Sequence, residues 1–461
     1  MTSFRSPNAI RADFSSAMSI MYREEVPAYG QLMTMVAEVN ANVLRSDAAI
    51  ALNMTPEEDT SRISEERHGA IRLGTEAELA MMARVFAVMG MFPVGYYDLS
   101  VASVPVHSTA FRPIERSDLA ENPFRVFTSL LRLELIEDED LRRTAQTTLE
   151  RRQIFSDSAI ALTEKAEQQG GLSPEDAQSF VTEILETFRW NIDACVSAET
   201  FAALIASHRL TADVVSFKGP HINHLTPRTL DIDAAQSEMV ALGLPAKAVV
   251  EGPPTRKCPI LLRQTAFKAL DESIRFPDQK GGWVKGQHTA RFGEIEQRGA
   301  ALTPKGRALY DQLLAETRAK ILPDANGDNA QEYEATLRKT FEAFPDDWRA
   351  LYDQGLAYFK ISVNPEIEVP ASLDVSDLLD AGVFLLSPII YEDFLPVSAA
   401  GIFQSNLGDD ARDNLQAQSS KEQFERALGG SVADEFALYD AMQDAALQHS
   451  LATLQTSGSG Q

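Results

Sequence analysis

A mixed α+β fold is predicted, built from two related strand–helix–strand modules that share one site and carry large helical insertions. Three observations predict it. The pattern His-x-x-x-Arg occurs twice, at His68/Arg72 and His224/Arg228, and each copy opens a stretch that reads as strand, helix, strand. Between and beyond the copies the texture changes to long, charged, amphipathic stretches of helical period. Downstream of the second copy, the segment Phe292-Gly293-Glu294-Ile295-Glu296-Gln297-Arg298 reads as a closing strand and supplies a carboxylate.

Residues 1–60 form an N-terminal helical segment. Within it, residues 12–53 repeat apolar side chains at three- and four-residue intervals through Met18, Met21, Leu32, Met35, Val36, Val39 and Val43, and Pro27 divides the run in two. The methionine stripe suits a core, because the flexible thioether fills irregular apolar gaps. After the acidic loop at residues 56–59, the first module spans 61–116. It starts with a strand over 63–73, and Thr75 with Glu78 forms a capping-box spacing for a helix over 77–88. Two stretches rich in Val, Tyr, Ser and Thr, 95–101 and 105–114, suit strands and leave room for one more. Residues 117–210 read as a helical insertion, with amphipathic stretches at 124–144 and 174–190. Gly170-Gly171 marks a break, after which Ser173 caps a helix with Pro174 at its first position. The second module, 211–302, is expected to run through a strand at 214–218, a helix at 234–242, strands at 248–251 and 260–265, and a last strand at 289–297. Residues 303–450 look mainly helical apart from the apolar run 383–390. A Ser/Gly tail, 451–461, is expected to be disordered.

Composition narrows the function classes. The 461 residues suggest about three domains, and 44% hydrophobic residues allow a large core. With 67 acidic against 42 basic residues, the formal charge of -25 repels phosphate backbones and anionic membranes, which argues against nucleic acid and membrane partners. Cys195 and Cys258 are too few for a disulfide framework and lack zinc-finger spacing. The stretch at residues 1–7 lacks the apolar run of a secretory leader, and no window of about 18 uncharged apolar residues occurs, so cytoplasm is the expected compartment.

Two histidines and one carboxylate form the open face of non-haem iron(II) oxygenases. Arg72 shares the face of His68 whether the segment is strand or helix, since residues four apart are co-facial in both. Arg228 stands in the same relation to His224, although Pro227 weakens regular pairing there and leaves Arg228 a structural role. In the last strand Glu294 and Glu296 share a face and compete as ligand; an ion pair between Glu296 and Arg298 would leave Glu294 the freer. The bland alternatives are a surface histidine in the charged run around His68, a partnership of Arg72 with Glu65 or Glu66, and a solvated strand carboxylate at 294. His221 is expected on the opposite face, and His288 close to the last strand as a supporting group. His107, His208 and His449 show no ligand spacing.

Paired β-α-β-β-β modules with ligands on the first strand of each and on a final strand resemble the vicinal-oxygen-chelate superfamily, here as a metal-containing half-barrel. The last strand is similar to that of the hydroxyphenylpyruvate dioxygenase group, and this alignment selects Glu294. More closely, Arg67-His68-Gly69-Ala70-Ile71-Arg72, Ile222-Asn223-His224-Leu225-Thr226-Pro227-Arg228, Phe292-Gly293-Glu294-Ile295-Glu296-Gln297-Arg298-Gly299 and Tyr391-Glu392-Asp393-Phe394-Leu395-Pro396-Val397 resemble the 2-oxoadipate dioxygenase/decarboxylase family, also called 2-hydroxyglutarate synthases, over about residues 12–430.

The resemblance implies Fe(II), Fe(2+), held by His68, His224 and Glu294. A 2-oxo dicarboxylic acid would chelate it through its 1-carboxylate and 2-oxo group, with O2 at the remaining position. The products would be 2-hydroxyglutarate and carbon dioxide, in lysine catabolism. It further implies that Arg72 binds the far carboxylate of the substrate, to which a planar guanidinium is suited, and that Val397 lines the substrate pocket. Two rivals remain: an oxygen-independent isomerase or lyase of the same superfamily using zinc, nickel or manganese, and a non-catalytic protein whose acidic helical segments recruit a partner.

Overall fold

The computed structural model describes residues 4–46, 60–244, 246–267, 271–278, 280–324, 327–367, 374–395 and 413–458. The N-terminal periodicity folds as two helices, Pro7–Glu25 and Pro27–Arg45, meeting at Pro27. Met18, Met21, Leu32, Met35 and Val36 are buried in the largest apolar cluster, as their spacing requires. The acidic loop expected at 56–59 lies outside the described residues.

The central sheet begins with β1 (Arg67–Leu73), shorter than expected because residues 60–65 form a helical turn instead. Thr75 accepts from the Glu78 amide and starts the helix Glu76–Val88, after which come β2 (Phe92–Asp98) and β3 (Val106–Arg112). A fourth strand, β4 (Arg125–Leu131), lies where an amphipathic helical stretch was expected. Its seven residues are all buried, so its polar side chains face interior partners rather than water. β4 pairs parallel with β1 and antiparallel with β3. The sheet order is β2-β3-β4-β1-β5, in which β5 (Leu225–Pro227) pairs antiparallel with β1 and joins the two halves of the chain.

Several expectations for the second half are corrected. Residues 214–218 do not form a strand; 214–216 end the helix Arg209–Ser216, which the His208 side chain caps, and Phe217 carries only an isolated bridge to Ala194. Residues 248–251 carry a single isolated bridge, at Glu251, whereas β6 (Leu262–Ala266) is regular. A hairpin of β7 (Glu272–Pro277) and β8 (Trp283–His288) forms its own two-stranded sheet. The closing strand β9 (Glu294–Arg298) begins at Glu294 and pairs antiparallel with β6. Arg228, just beyond β5, bridges in parallel to Glu296 of β9. Farther on, β10 (Phe359–Val363) pairs with β11 (Phe384–Pro388), so the apolar run near 383–390 is a strand with a partner the sequence did not reveal. The Ser/Gly end is not a free tail through its described part: the helix Glu435–Gly458 continues into it, because Leu447, Leu451 and Leu454 pack at helical spacing beside Ile361 and Val383.

Candidate metal centre

Two glycines fix the positions of two prospective ligands. A Cβ on Gly69 would lie 2.5 Å from Ile222 Cδ1 and 3.2 Å from the His224 carbonyl oxygen, so glycine lets β1 and the chain before β5 meet and brings His68 beside His224. A Cβ on Gly293 would lie 1.8 Å from the Phe267 ring, so glycine lets the residue before Glu294 pass under that ring.

The structure brings His68, His224 and Glu294 together, with one donor atom from each lying within 4.8 Å of the others. His68 Nε2 is 3.3 Å and His224 Nδ1 is 3.4 Å from Glu294 Oε2. The Thr226 hydroxyl donates to the same oxygen at 2.8 Å and lies 2.9 Å from His224 Nδ1. Neither nitrogen of His68, which is fully buried, makes a well-aligned hydrogen bond among the described residues. Its Nε2 instead faces the Glu294 carboxylate off-axis, which leaves its lone pair free for an ion shared with that carboxylate. Two imidazoles and a carboxylate converging through buried donor atoms fit a divalent metal ion.

The second carboxylate has a different task. Glu296 is gripped by Arg298 through two bonds, Nε to Oε1 at 2.8 Å and Nη2 to Oε2 at 2.9 Å, and its Oε2 lies 3.1 Å from His68 Nδ1. That places one ring nitrogen of His68 against a carboxylate and aims the other at Glu294, the arrangement that orients a metal-binding imidazole. Burial pushes the Glu296 carboxyl up, but Arg298 and His68 outweigh it and hold it down at about 2. Burial opposes charge on Glu294 too, and the two histidines hold its carboxyl below the usual range. His224 is held down at about 4, chiefly by burial, and is thus neutral and able to ligate at neutral pH. The Phe394 ring lies 4.8 Å from that of His68 and the Phe292 ring 4.8 Å from that of His224, giving the site dry walls.

The remaining predicted residues separate. Arg72 does not pair with Glu65 or Glu66; its Nη1 donates to Asp213 Oδ2 at 2.7 Å. Arg228 donates to Glu66 at 2.8 Å, a structural bond. His221 and His288 support neither of the two histidines nor Glu294; both reach Asp213 Oδ1, at 3.3 and 2.8 Å. Val397 lies outside the described residues. Asp213, Thr226, Phe292 and Phe394 were not singled out by sequence reasoning. Thr226 carried a usable signal in its two-residue spacing from His224, and Phe394 in its place within the 391–397 string; Asp213 carried none.

A mixed α+β fold enclosing a buried pair of histidines and a glutamate that can hold a metal ion defines the class. The chain belongs to the 2-oxoadipate dioxygenase/decarboxylase family, whose model matches residues 14–406. It is 55% identical over 452 residues to the 2-oxoadipate dioxygenase/decarboxylase of Pseudomonas putida, covering 96% of this chain and 97% of that protein. With the Escherichia coli protein of the same name it shares 53% identity over 440 residues, 94% of this chain and 96% of that one. The crystal structure of the hydroxyglutarate synthase from Pseudomonas putida in complex with 2-oxoadipate matches with a TM-score of 0.91 at 53% identity, covering 99% of this chain and 100% of that chain. Among the described residues, no helix is long and apolar enough to cross a membrane.

Proposed function

We propose that this chain is an iron(II)-dependent dioxygenase/decarboxylase that converts 2-oxoadipate and O2 to 2-hydroxyglutarate and carbon dioxide, in cytoplasmic lysine breakdown. The observation that carries the reading is the convergence of His68, His224 and Glu294, with donor atoms all within 4.8 Å of one another, in a chain of this family. The six-carbon oxo acid loses one carbon as carbon dioxide and gains a hydroxyl, and the atoms of one dioxygen balance the equation with no further reductant.

Ferrous ion held by the three side chains would supply a Lewis-acidic centre with open positions for a bidentate oxo acid and for oxygen. The chain's own residues do the rest. Glu296 holds the Nδ1 side of His68, and Thr226 hydrogen-bonds Glu294, so the donors stay oriented without substrate. Phe292 and Phe394 exclude water from the histidines. Arg72, four residues along β1 from His68, takes the far carboxylate of the oxo acid, and Val397 is a further substrate contact on the family resemblance alone. The strand relations support paired βαβββ modules of vicinal-oxygen-chelate type curling as a half-barrel: β1 runs parallel to β4, and the chain at Arg228 bridges in parallel to β9.

Anaerobic reconstitution with ferrous ion, followed by 2-oxoadipate and air, tests the proposal. It predicts one carbon dioxide released and one 2-hydroxyglutarate formed per dioxygen consumed. Turnover without oxygen would favour a metal-dependent isomerase or lyase, and protein that neither binds metal nor turns over substrate would favour a non-catalytic interaction role.

A further inference from the structure

The second cluster of titratable groups near the site is centred on Asp213, which lies in the helix Arg209–Ser216 and is nearly fully buried. Its two oxygens are used separately. Oδ2 accepts from Arg72 Nη1 at 2.7 Å, while Oδ1 faces His288 Nε2 at 2.8 Å and His221 Nε2 at 3.3 Å. The two imidazoles are themselves wedged. The His221 ring meets Trp190 edge-on with centroids 4.6 Å apart, and the His288 ring stacks on Phe217 at 5.2 Å. Neither ring can turn without displacing an aromatic neighbour, so the carboxylate between them is held in place. Burial opposes charge on Asp213, but His221, His288 and Arg72 together keep it ionised well below the usual carboxylate range.

What this does to Arg72 follows from the geometry of guanidinium. The group has five N–H donors in a rigid fork. Among the described residues its hydrogen bonding to protein is through Nη1 to Asp213 alone. Holding a long, flexible side chain by one corner removes its rotamer freedom in advance, and the rest of the fork stays available for a second carboxylate. Asp213 also offsets the charge of Arg72 in the interior.

We propose that Asp213, braced by His221 and His288, is the positioning residue that presents Arg72 to the far carboxylate of the oxo acid and so sets the preference for a dicarboxylic substrate. This rests on the role assigned to Arg72 under the proposed function. Asp213 acts through Arg72 and touches no reacting atom.

The test uses the ferrous-loaded full chain with 2-oxoadipate and with 2-oxohexanoate, which lacks the far carboxylate. Asp213→Asn should raise KM for 2-oxoadipate by about tenfold or more, the scale of a weakened charged hydrogen bond, with kcat and iron content near wild type and KM for 2-oxohexanoate unchanged. In an Arg72→Ala background the same substitution should have no further effect on the preference. His288→Ala should move KM in the same direction by less, and keeps the question answerable if the Asp213 variant does not fold. Arg72→Ala that leaves the preference intact would overturn the role of Arg72 and this inference with it. Arg72→Ala that abolishes the preference, while Asp213→Asn and His288→Ala leave it alone or act additively with it, would overturn the inference only.

Discussion

His68 stands between two differently built flanks. On one side lies a buried ionic network in which each carboxylate is held by at least one guanidinium: Glu66 by Arg125 and Arg228, Glu392 by Arg62 and Arg125, Asp393 by Arg112, and Glu296 by Arg298. On the other side lie His224 and Glu294, towards which His68 presents Nε2. Both flanks are dry and both are charged, so burial does not separate structure from chemistry here. The partners do: on the closed flank every carboxylate is gripped by a guanidinium, while on the incomplete flank Glu294 meets two imidazoles and the Thr226 hydroxyl, a donor set complementary to a cation.

The largest effect should come from the incomplete flank. His68→Ala removes a prospective ligand and should abolish ferrous binding and lower kcat/KM by more than about 1000-fold, while thermal unfolding without metal changes little, since the site is built to be filled. A metal-free variant much less stable than metal-free wild type would show that the histidine is a structural core group. On the closed flank the pattern should invert. Arg125→Met leaves Glu66 to Arg228 and Glu392 to Arg62 and should cost about 3 kcal/mol in denaturant unfolding, the low end for breaking a buried ion pair because those partners remain; retained stability would mean that the network carries little of the fold. Glu296→Gln bridges the two flanks, and a weakened support for His68 should loosen ferrous affinity by about 10- to 100-fold without eliminating it.

The smallest effect lies outside both flanks and serves as a control. Burial, aided by Arg132, holds His107 down at about 4, against an ordinary value of 6.5. The unfolded chain takes up this proton below about pH 6.5 and the folded chain only near 4. The contribution of His107 to stability is therefore complete above pH 6.5 and declines as the pH falls towards 4. His107→Phe should flatten the acid limb of the stability curve by about 1–3 kcal/mol, and an unchanged limb would show that the imidazole titrates normally.

The incomplete flank was largely legible in the sequence, and the closed one was not. His68 and His224 stood out because the His-x-x-x-Arg pattern repeats, whereas the residues alone left Glu294 competing with Glu296 and the family resemblance selected Glu294; the grip of Arg298 on Glu296 agrees with that choice. Asp213 was invisible: it sits 141 residues from Arg72, on a helix whose Val214-Val215 pair imitates a strand. β4 was hidden for a related reason. It is buried on both faces, so no alternation marks it, and Arg125, which gives the stretch a helical, charged look, is an interior partner of Glu66. Local pattern reports which face meets water, and it is silent where polar groups meet only each other.

The central claim is tested most directly by measuring anaerobic ferrous binding at equilibrium in the wild-type chain and in Glu294→Gln, followed by oxygen uptake on adding 2-oxoadipate. One ion per wild-type chain, with binding greatly weakened in Glu294→Gln and oxygen consumed only by the loaded protein, is the expected result. Equal binding by both chains, or a loaded wild type that consumes no oxygen with 2-oxoadipate, would contradict it.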